Sequence, residues 1–572
     1  ETLGAAQVIC LDKTGTITVN RMKVTSLRAG TETIEVNGTS GLLAAEPVIQ
    51  PDFTHELPAL LVVGTLSTES RVTRKGAAFT VHGSPTENAL VDLALEAGID
   101  VALLKKEFPL RKIVHRSADR NIMTTIHRQR DGRRLLAAVK GSPSEVMALC
   151  PAIFVDEEKR VFGEAERQAA ATENERLAGQ GLRVLGIAYT WLDEETELTD
   201  EVLAVLDWTW LGLVAMADPV RPGVKELIGR FHQAGIKTVM ITGDQSPTAY
   251  AVGKQLNLDG DGGLQILDST GFAELEPQAL QALCEKTDVF ARVSPAHKLQ
   301  IVQALQRGGK VVAMTGDGIN DSPALKAADI GLAMGHAGTD VAREVADVVL
   351  ENDELETMIV AVRHGRATYA NVRKALHFLL ATNLSEIVVT FIANLAGLGQ
   401  PLTQMQLLWI NLVSDIFPGL ALSLEEPEQE IMTQPPRDPA EPIIRKSDLG
   451  KITTEASVIS AGALGSYGYG LVRYGAGARA GSLAFQSLTA GQLLHALSCR
   501  SEKHTIFEQG ALLPNRHLNL ALGGSFALQA VASMAPGLRS LLGLGPFGLV
   551  DLAVVGATAV LPLVVNETKK KF

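Results

Sequence analysis

Four short segments of this chain end an apolar run in residues that can handle phosphate. The first, VICLDKTGT at residues 8–16, closes on Asp12, Lys13 and a Thr14-Gly15 turn. At the carboxyl end of a parallel strand an acid sits where α/β sheets bind ligands, and a carboxylate there can attack phosphorus and carry an aspartyl-phosphate. The second, VMITGD at 239–244, ends in Thr242, Gly243 and Asp244, a set suited to hydrogen-bonding phosphoryl oxygens. The third, FARVSPAHK at 290–298, offers Lys298 as a point charge for a phosphoryl group in transfer. The fourth, VVAMTGDGIND at 311–321, puts Asp317, Asn320 and Asp321 at a strand mouth. Hard oxygen ligands of this kind hold Mg²⁺ between a nucleophile and a phosphate. One such segment is as readily a polar turn after a strand; four in this order are not.

A second set of acids lies inside long apolar stretches, where a charge is expensive and therefore points to function. Asn383 and Glu386 are three residues apart, and Asn411 and Asp415 four apart, so on helices each pair shares a face. Two helices each offering an amide and a carboxylate make an all-oxygen cage for a hard cation.

The elements that must position these groups divide the chain in two. Up to about residue 374 the sequence is charge-rich. Apolar runs at 6–11, 237–241 and 310–315 alternate with helical patterns there, the mark of a soluble α/β region with a parallel sheet. Beyond it, six nearly uncharged stretches fall at about 375–397, 402–424, 452–472, 482–499, 518–538 and 547–565. Each is near the ~20 residues that a membrane-spanning helix needs. Loops carrying Arg366, Arg373 and Lys374, then Arg437, Arg445, Lys446 and Lys451, then Arg500, Lys503 and Arg516, then Lys569, Lys570 and Lys571 alternate with loops poor in basic residues. That asymmetry places the soluble region and both termini in the cytoplasm, and the expectation is a multi-pass protein of the plasma (inner) membrane, with the lipid bilayer as a partner.

Composition narrows the classes further. With 46% hydrophobic and 20% charged residues, the chain is not a disordered one. A net charge of −12 disfavours a nucleic-acid binder. Four cysteines without a CxxC pair exclude a disulfide scaffold and the usual structural zinc spacing.

In their order, DKTGT, TGD, the lone lysine and TGDGINDSPAL resemble the P-type ATPases, cation pumps of the haloacid-dehalogenase superfamily. The resemblance covers essentially the whole chain. It implies an α/β haloacid-dehalogenase-like phosphorylation domain in two parts, 1–30 and 206–365, and an inserted α+β nucleotide-binding domain at 31–205. An all-α bundle of six transmembrane helices over 366–572 would follow. The long stretch between Asp12 and Thr242 independently calls for an insertion, since it far exceeds a βαβ crossover. The resemblance further implies that Asp12 is phosphorylated by ATP, with Mg²⁺ on Asp12, the Thr14 carbonyl and Asp317. Thr242, Gly243 and Lys298 would contact the phosphoryl group, Asn320 and Asp321 would support the site, and Lys13 and Asp244 belong to the same catalytic set. Asp218-Pro219-Val220-Arg221 is similar to the family's DPPR hinge, with Val for the second Pro. Soluble phosphatases of the superfamily carry a second Asp two positions after the nucleophile, as general acid and base. Here that position is Thr14, which cannot do the job near neutral pH.

Within the insertion, KGSPSE at 140–145 resembles the family's KGAPE nucleotide motif, GSPTENAL at 83–90 its DPTEGAL, and GLR at 181–183 its GLR segment. They imply nucleotide contacts from Lys140, Glu87 and Arg183, with Asp218, Arg221 and Arg292 added from the phosphorylation domain. The family's adenine-stacking Phe is missing from HRSADRNIM at 115–123; His115 and Phe108 are the two candidates to replace it.

NLSE at 383–386 and NLVSD at 411–415 resemble the NxxE and NxxTD of type II calcium pumps, with Ser414 for Thr, and no soft-metal CPC motif occurs. The implied function is ATP-driven cation transport, with Ca²⁺ as the expected ion and Mn²⁺, Mg²⁺ or a monovalent cation as alternatives. A membrane-anchored nucleotide-binding regulator is the reading of another class. The resemblance also implies that the family's first four helices and actuator domain belong to a part of the pump preceding Glu1, which would then be a further partner.

Overall fold

The structure is a computed structural model that describes residues 1–36, 53, 55–75, 78–117, 120–130, 134–196, 198–199, 203, 206–260, 262–508 and 512–570. Two compact units emerge: 8–232 with 237–356, and 357–572 with the short segments 1–7 and 233–236.

The first unit holds two large sheets. One has seven strands, all parallel, in the spatial order Ile266–Asp268, Val289–Ala291, Lys237–Ile241, Val8–Asp12, Val312–Gly316, Ile330–Met334 and Val348–Leu350. The three apolar runs expected to form a parallel sheet are its central strands, with Val8 level with both Lys237 and Val312. Val8–Asp12, Val312–Gly316 and Ile330–Met334 are buried along their whole length, as strands covered on both faces must be. Val8, Cys10, Val239, Ile241, Val312 and Met314 share one core with the helix Pro295–Arg307. Because the strands are parallel, Asp12, Thr242 and Asp317 all come to the same edge of the sheet.

The second sheet has nine strands and is mostly antiparallel. Its face toward the helices Glu56–Leu66, Pro85–Glu96 and Val101–Glu107 buries one apolar cluster, and its other face buries another with Pro143–Leu149 and Glu164–Gly179. Lys23–Ala29 and Thr209–Ala217, beyond the insertion boundaries expected at 30 and 205, both pair in this sheet. They run antiparallel to each other, Ala29 opposite Gly212 and Lys23 opposite Ala217, so the chain enters and leaves the insertion through one two-stranded connection. Ala118 and Asp119 of the HRSADRNIM segment, and Lys571 of the basic tail, lie outside the described residues.

The second unit is helical. Glu356–Leu395 contains all but the last two residues of the stretch expected at 375–397. Gln404–Ser423 is α-helical except for a π-helical turn at Asn411–Asp415. Lys446–Tyr474, Ala478–Ser498, Arg516–Met534 and Leu549–Lys569 follow. Among the described residues three helices, Glu356–Leu395, Gln404–Ser423 and Leu549–Lys569, are long and apolar enough to cross a membrane. Of the other three, Lys446–Tyr474 and Ala478–Ser498 carry small and polar residues that meet neighbouring helices. Ser466 and Ser487 both hydrogen-bond the Thr558 hydroxyl, at 2.7 and 2.8 Å, and Ser460 donates to the Ser385 carbonyl at 3.0 Å. Small hydroxyl residues let helices approach closely and supply bonds that hydrocarbon cannot.

Arg366 ties this unit together locally. Its guanidinium is buried and donates to the carbonyls of Gly4 (3.3 Å), Ala234 (2.8 Å), Ile431 (3.1 Å) and Gln434 (2.6 Å). Replacing it leaves several carbonyls without a donor. Arg366→Met should therefore cost about 2–4 kcal/mol of stability, read as a lowered midpoint in thermal unfolding of the detergent-solubilised protein, whereas Arg363→Met on an exposed face should cost under about 0.5 kcal/mol.

Candidate active site and ion site

Asp12 is the last residue of its strand, and its backbone N–H donates to the Thr315 hydroxyl of the neighbouring strand at 3.1 Å. Lys298 comes from the first turns of Pro295–Arg307, a helix started by a reciprocal cap between Ser294 and His297. Its ammonium bridges Asp12 Oδ1 at 2.8 Å and Asp321 Oδ1 at 2.5 Å, and all three side chains are buried. Carboxylate oxygens of Asp12, Asp317 and Asp321 lie within 4.8 Å of one another. Asp321 Oδ2 also accepts from the backbone N–H of Asp317 and Gly318, which fixes the turn that carries Asp317.

The electrostatics follow from that crowding. Burial raises the Asp12 carboxyl, Lys298 draws it back, and the Asp321 and Asp317 charges raise it again; the net direction is upward. Asp317 is pushed up to about 6 by burial and by Asp321. Burial would lower Lys298, but Asp12 and Asp321 outweigh it and hold the ammonium above its ordinary value. Three clustered hard carboxylates, two of them held above their ordinary range, are a donor set that fits a divalent cation such as Mg²⁺.

The remaining residues expected at this site fall around it unequally. Lys13 is buried and paired with Asp244, which binds the mouth of the first strand to that of the second. Thr242 is buried and accepts from the Asp244 N–H at 3.1 Å, whereas Gly243 is exposed. Asn320 is exposed beside the buried Asp321. Asp218 and Arg221 are spent on the loop after Asp12: Asp218 accepts from the Thr18 hydroxyl at 2.5 Å, and Arg221 donates to the carbonyls of Gly15 (2.8 Å) and Thr18 (3.1 Å). Arg292 has a left-handed backbone (φ 52°), and its half-exposed side chain lies 3.5 Å from Asp268.

In the insertion, Ser84 caps the helix Pro85–Glu96 and so sets Glu87 in its first turn. Lys140, at the end of the strand Arg134–Gly141, donates to Glu87 Oε1 at 2.6 Å and to the Ser67 carbonyl at 2.5 Å, with both side chains buried. Burial lowers Lys140, with Glu87 opposing it. Arg183 is exposed at the start of its strand. Phe108 is buried in the core and cannot swing out to stack on a base; His115 is exposed, 3.6 Å from Glu69.

In the helical unit, Glu386 and Asp415 are buried. Asn383 donates to Asp415 Oδ2 at 2.9 Å, and Gln492 donates to Glu386 Oε1 at 3.2 Å. Ser414 is buried, its hydroxyl hydrogen given to the Ile410 carbonyl at 2.9 Å. Asn411 is exposed: the wider π-helical turn rotates it off the face that Ser414 and Asp415 share, so the expected one-face pairing with Asp415 is not formed.

Comparison with known proteins bears on both sites. The family described as "P-type ATPase, cytoplasmic domain N" matches residues 56–223, and "Cation transporting ATPase, C-terminus" matches 399–572. Among relatives, the "Calcium-transporting ATPase" of Bacillus subtilis is 36% identical over 94% of this chain and 61% of its own length. The human "Calcium-transporting ATPase type 2C member 1" is 32% identical over 100% of this chain and 61% of its own length. The chain belongs to the P-type ATPases. It spans about three fifths of the length of these relatives.

Three residues packed against these groups escaped the sequence reading. Lys105 donates to the Ser70 carbonyl at 2.5 Å, and its ammonium is lowered by burial despite the Glu87 charge; nothing around it in sequence separates it from a surface lysine. Gln492 could have been found, as one of two amides, with Gln486, in an apolar stretch. Gly15 was noted only as a turn residue. Its φ is +76°, and a Cβ built on it would lie 1.7 Å from Asp317 Oδ2. Gly15→Ala should drive Asp317 away from Asp12 and lower acid-stable labelling by γ-labelled ATP about 100-fold, the cost of an ångström-scale misplacement at a reacting centre. Far-ultraviolet circular dichroism should stay unchanged.

Proposed function

We propose that this chain carries the catalytic and part of the ion-binding machinery of an ATP-driven Ca²⁺ pump. The observation that carries the reading is Asp12, held against Lys298 and beside Asp317 and Asp321, with Thr14 rather than an acid two residues on. A carboxylate oxygen of Asp12 attacks the γ-phosphorus of ATP, the bond to the β–γ bridging oxygen breaks, and ADP leaves. Lys298, Thr242 and the exposed Gly243 N–H lie with Asp12 at the strand mouths, where they receive the charge of the transferring phosphoryl oxygens. Bound Mg²⁺, held by Asp12, Asp317 and the Thr14 carbonyl, shields the phosphate charge from the attacking carboxylate. Without a general base at position 14, water is not activated next to the acyl phosphate and the intermediate persists, which suits a pump rather than a phosphatase.

The nucleotide lies over the insertion, with Glu87, Lys140 and Lys105 in its cleft, His115 at the rim and Arg183 toward the polyphosphate. Asp218 and Arg221 act as positioning residues for the Asp12 loop. The six long helices of the second unit cross the bilayer with the basic loops on the cytoplasmic side. Among them Asp415 Oδ1 and Gln492 Oε1 are buried acceptors without a partner among the described residues. Acceptors of this kind call for a donor or a cation, and beside Glu386 they favour a hard divalent ion. The calcium-transporting relatives make Ca²⁺ the first choice.

Two experiments test the reading, both on the protein expressed from its whole gene. Asp12→Asn should abolish the acid-stable, hydroxylamine-sensitive phosphate while an ATP analogue still protects against proteolysis; persistence of that phosphate would place the nucleophile elsewhere. Glu386→Gln and Asp415→Asn should each weaken Ca²⁺-activated phosphorylation by about tenfold or more, because an acid is lost from a low-dielectric cage, while phosphorylation from inorganic phosphate survives. An unchanged Ca²⁺ dependence in both variants, or activation by Mn²⁺ alone, would overturn the ion assignment.

A further inference from the structure

A cavity of about 480 Å³ opens in the helical unit among Glu356–Leu395, Lys446–Tyr474, the end of Ala478–Ser498 and the end of Leu549–Lys569. It is separate from Glu386 and Asp415, which are not in its wall. Four of its lining side chains are lysines: Lys374, Lys451, Lys569 and Lys570. Lys374 is neutralised by Glu428 at 2.8 Å, and Lys570 by Glu567 at 2.7 Å. Lys451 has only a loose pairing, 3.8 Å from Glu502, and Lys569 is exposed with no ion-pair partner among the described residues. Of the two acids in the wall, Glu502 is the loose partner of Lys451, and the half-buried Glu455 is already engaged by His377 at 2.6 Å and His495 at 3.4 Å. The positive charge left over belongs to Lys451 and Lys569.

Two buried polar atoms of the wall lack partners. Ser498 and Asn566 are each 5% exposed, yet Ser498 Oγ and Asn566 Oδ1 have no hydrogen bond among the described residues. The Asn566 amide nitrogen is occupied, 3.3 Å from His495 Nδ1, which leaves the carbonyl oxygen for another donor. Buried orphans of this kind mark a place where a ligand or water belongs. The cavity thus offers two ammonium groups and a hydroxyl to an anion, and one acceptor to a hydroxyl or amine attached to it.

We propose that this cavity binds the head group of an anionic phospholipid. Its phosphate lies on Lys451 and Lys569 and takes the Ser498 hydroxyl, while a head-group hydroxyl donates to Asn566 Oδ1. The cavity sits where the helices meet their lysine-rich ends, and basic pockets between helices at the cytoplasmic face suit anionic lipids. The first turns of Lys446–Tyr474, which bring Ser447 and Gly450 to the wall, add the positive end of a helix. A lipid is favoured over a soluble phosphate because two of the helices around the cavity, Glu356–Leu395 and Leu549–Lys569, are long and apolar enough to cross a membrane.

The test uses the whole-gene protein reconstituted in nanodiscs of phosphatidylcholine with a minor fraction of phosphatidylglycerol. Native mass spectrometry of the released protein should show phosphatidylglycerol retained in preference to phosphatidylcholine. The double variant Lys451→Gln/Lys569→Gln should weaken that retention about 30-fold, and Ser498→Ala severalfold, with phosphorylation of Asp12 unchanged. Both lysines are exposed, so the double variant does not threaten folding. Equal retention by the double variant, or retention blind to head-group charge, would overturn the proposal. So would displacement of the lipid by millimolar inorganic phosphate or glycerol phosphate, which would make this a soluble-anion site.

Discussion

The chemistry of the first unit depends on one ammonium group. Lys298 stands between Asp12 and Asp321, with Asp317 close by, in a site that water barely reaches. At an effective dielectric near 20, two unit charges about 4 Å apart interact by about 4 kcal/mol. Three acids give three repulsive pairs, and one lysine among them gives three attractive ones of similar size. These terms nearly cancel, so desolvation decides. That is why burial dominates the upward shift of both Asp12 and Asp317. A further positive charge at this edge would favour the ionised form of Asp12. A parallel sheet is what makes the crowding possible, because it alone delivers the ends of several strands to one edge.

Much of this was legible in the sequence because strand-end motifs are local. Asp12, Thr242 and Asp317 each terminate an apolar run, and period and burial agree along all three strands. Pairing partners were not legible. Nothing near Lys23–Ala29 announces that its neighbour is Thr209–Ala217, and so the edges of the insertion fell short on both sides. Lys105 illustrates the same limit: it follows helix spacing and acquires its environment only when Ser70 and Glu87 fold against it. The Asp218–Arg221 segment was legible as a motif but not as a role. Its side chains turn out to hold the backbone of the Asp12 loop at Thr18 and Gly15 rather than face an open cleft.

In the helical unit the sequence located the acids and missed the geometry between them. An ideal helical face pairs Asn411 with Asp415, and the π-helical turn breaks that pairing. The same turn leaves Asp415 buried, with one oxygen held by Asn383 and the other without a hydrogen-bond partner of ordinary geometry among the described residues. A hydropathy pattern also does not show which helices face one another. Ser466, Ser487 and Thr558 lower the apolarity of their segments while satisfying one another across three helices.

The unpaired acceptors at Asp415 and Gln492 and the four-carbonyl grip on Arg366 show two opposite uses of buried polarity. Arg366 has few unmet bonds and so fixes the backbone it touches. Asp415 Oδ1 and Gln492 Oε1 have unmet bonds and so cannot be there for stability, since each costs roughly 1–3 kcal/mol while it waits. A chain that keeps such a cost beside two buried acids is holding those oxygens for something that comes and goes. A permanently bound group would be paid for once in folding, whereas an ion that must also leave requires a site that is only partly satisfied by the protein itself.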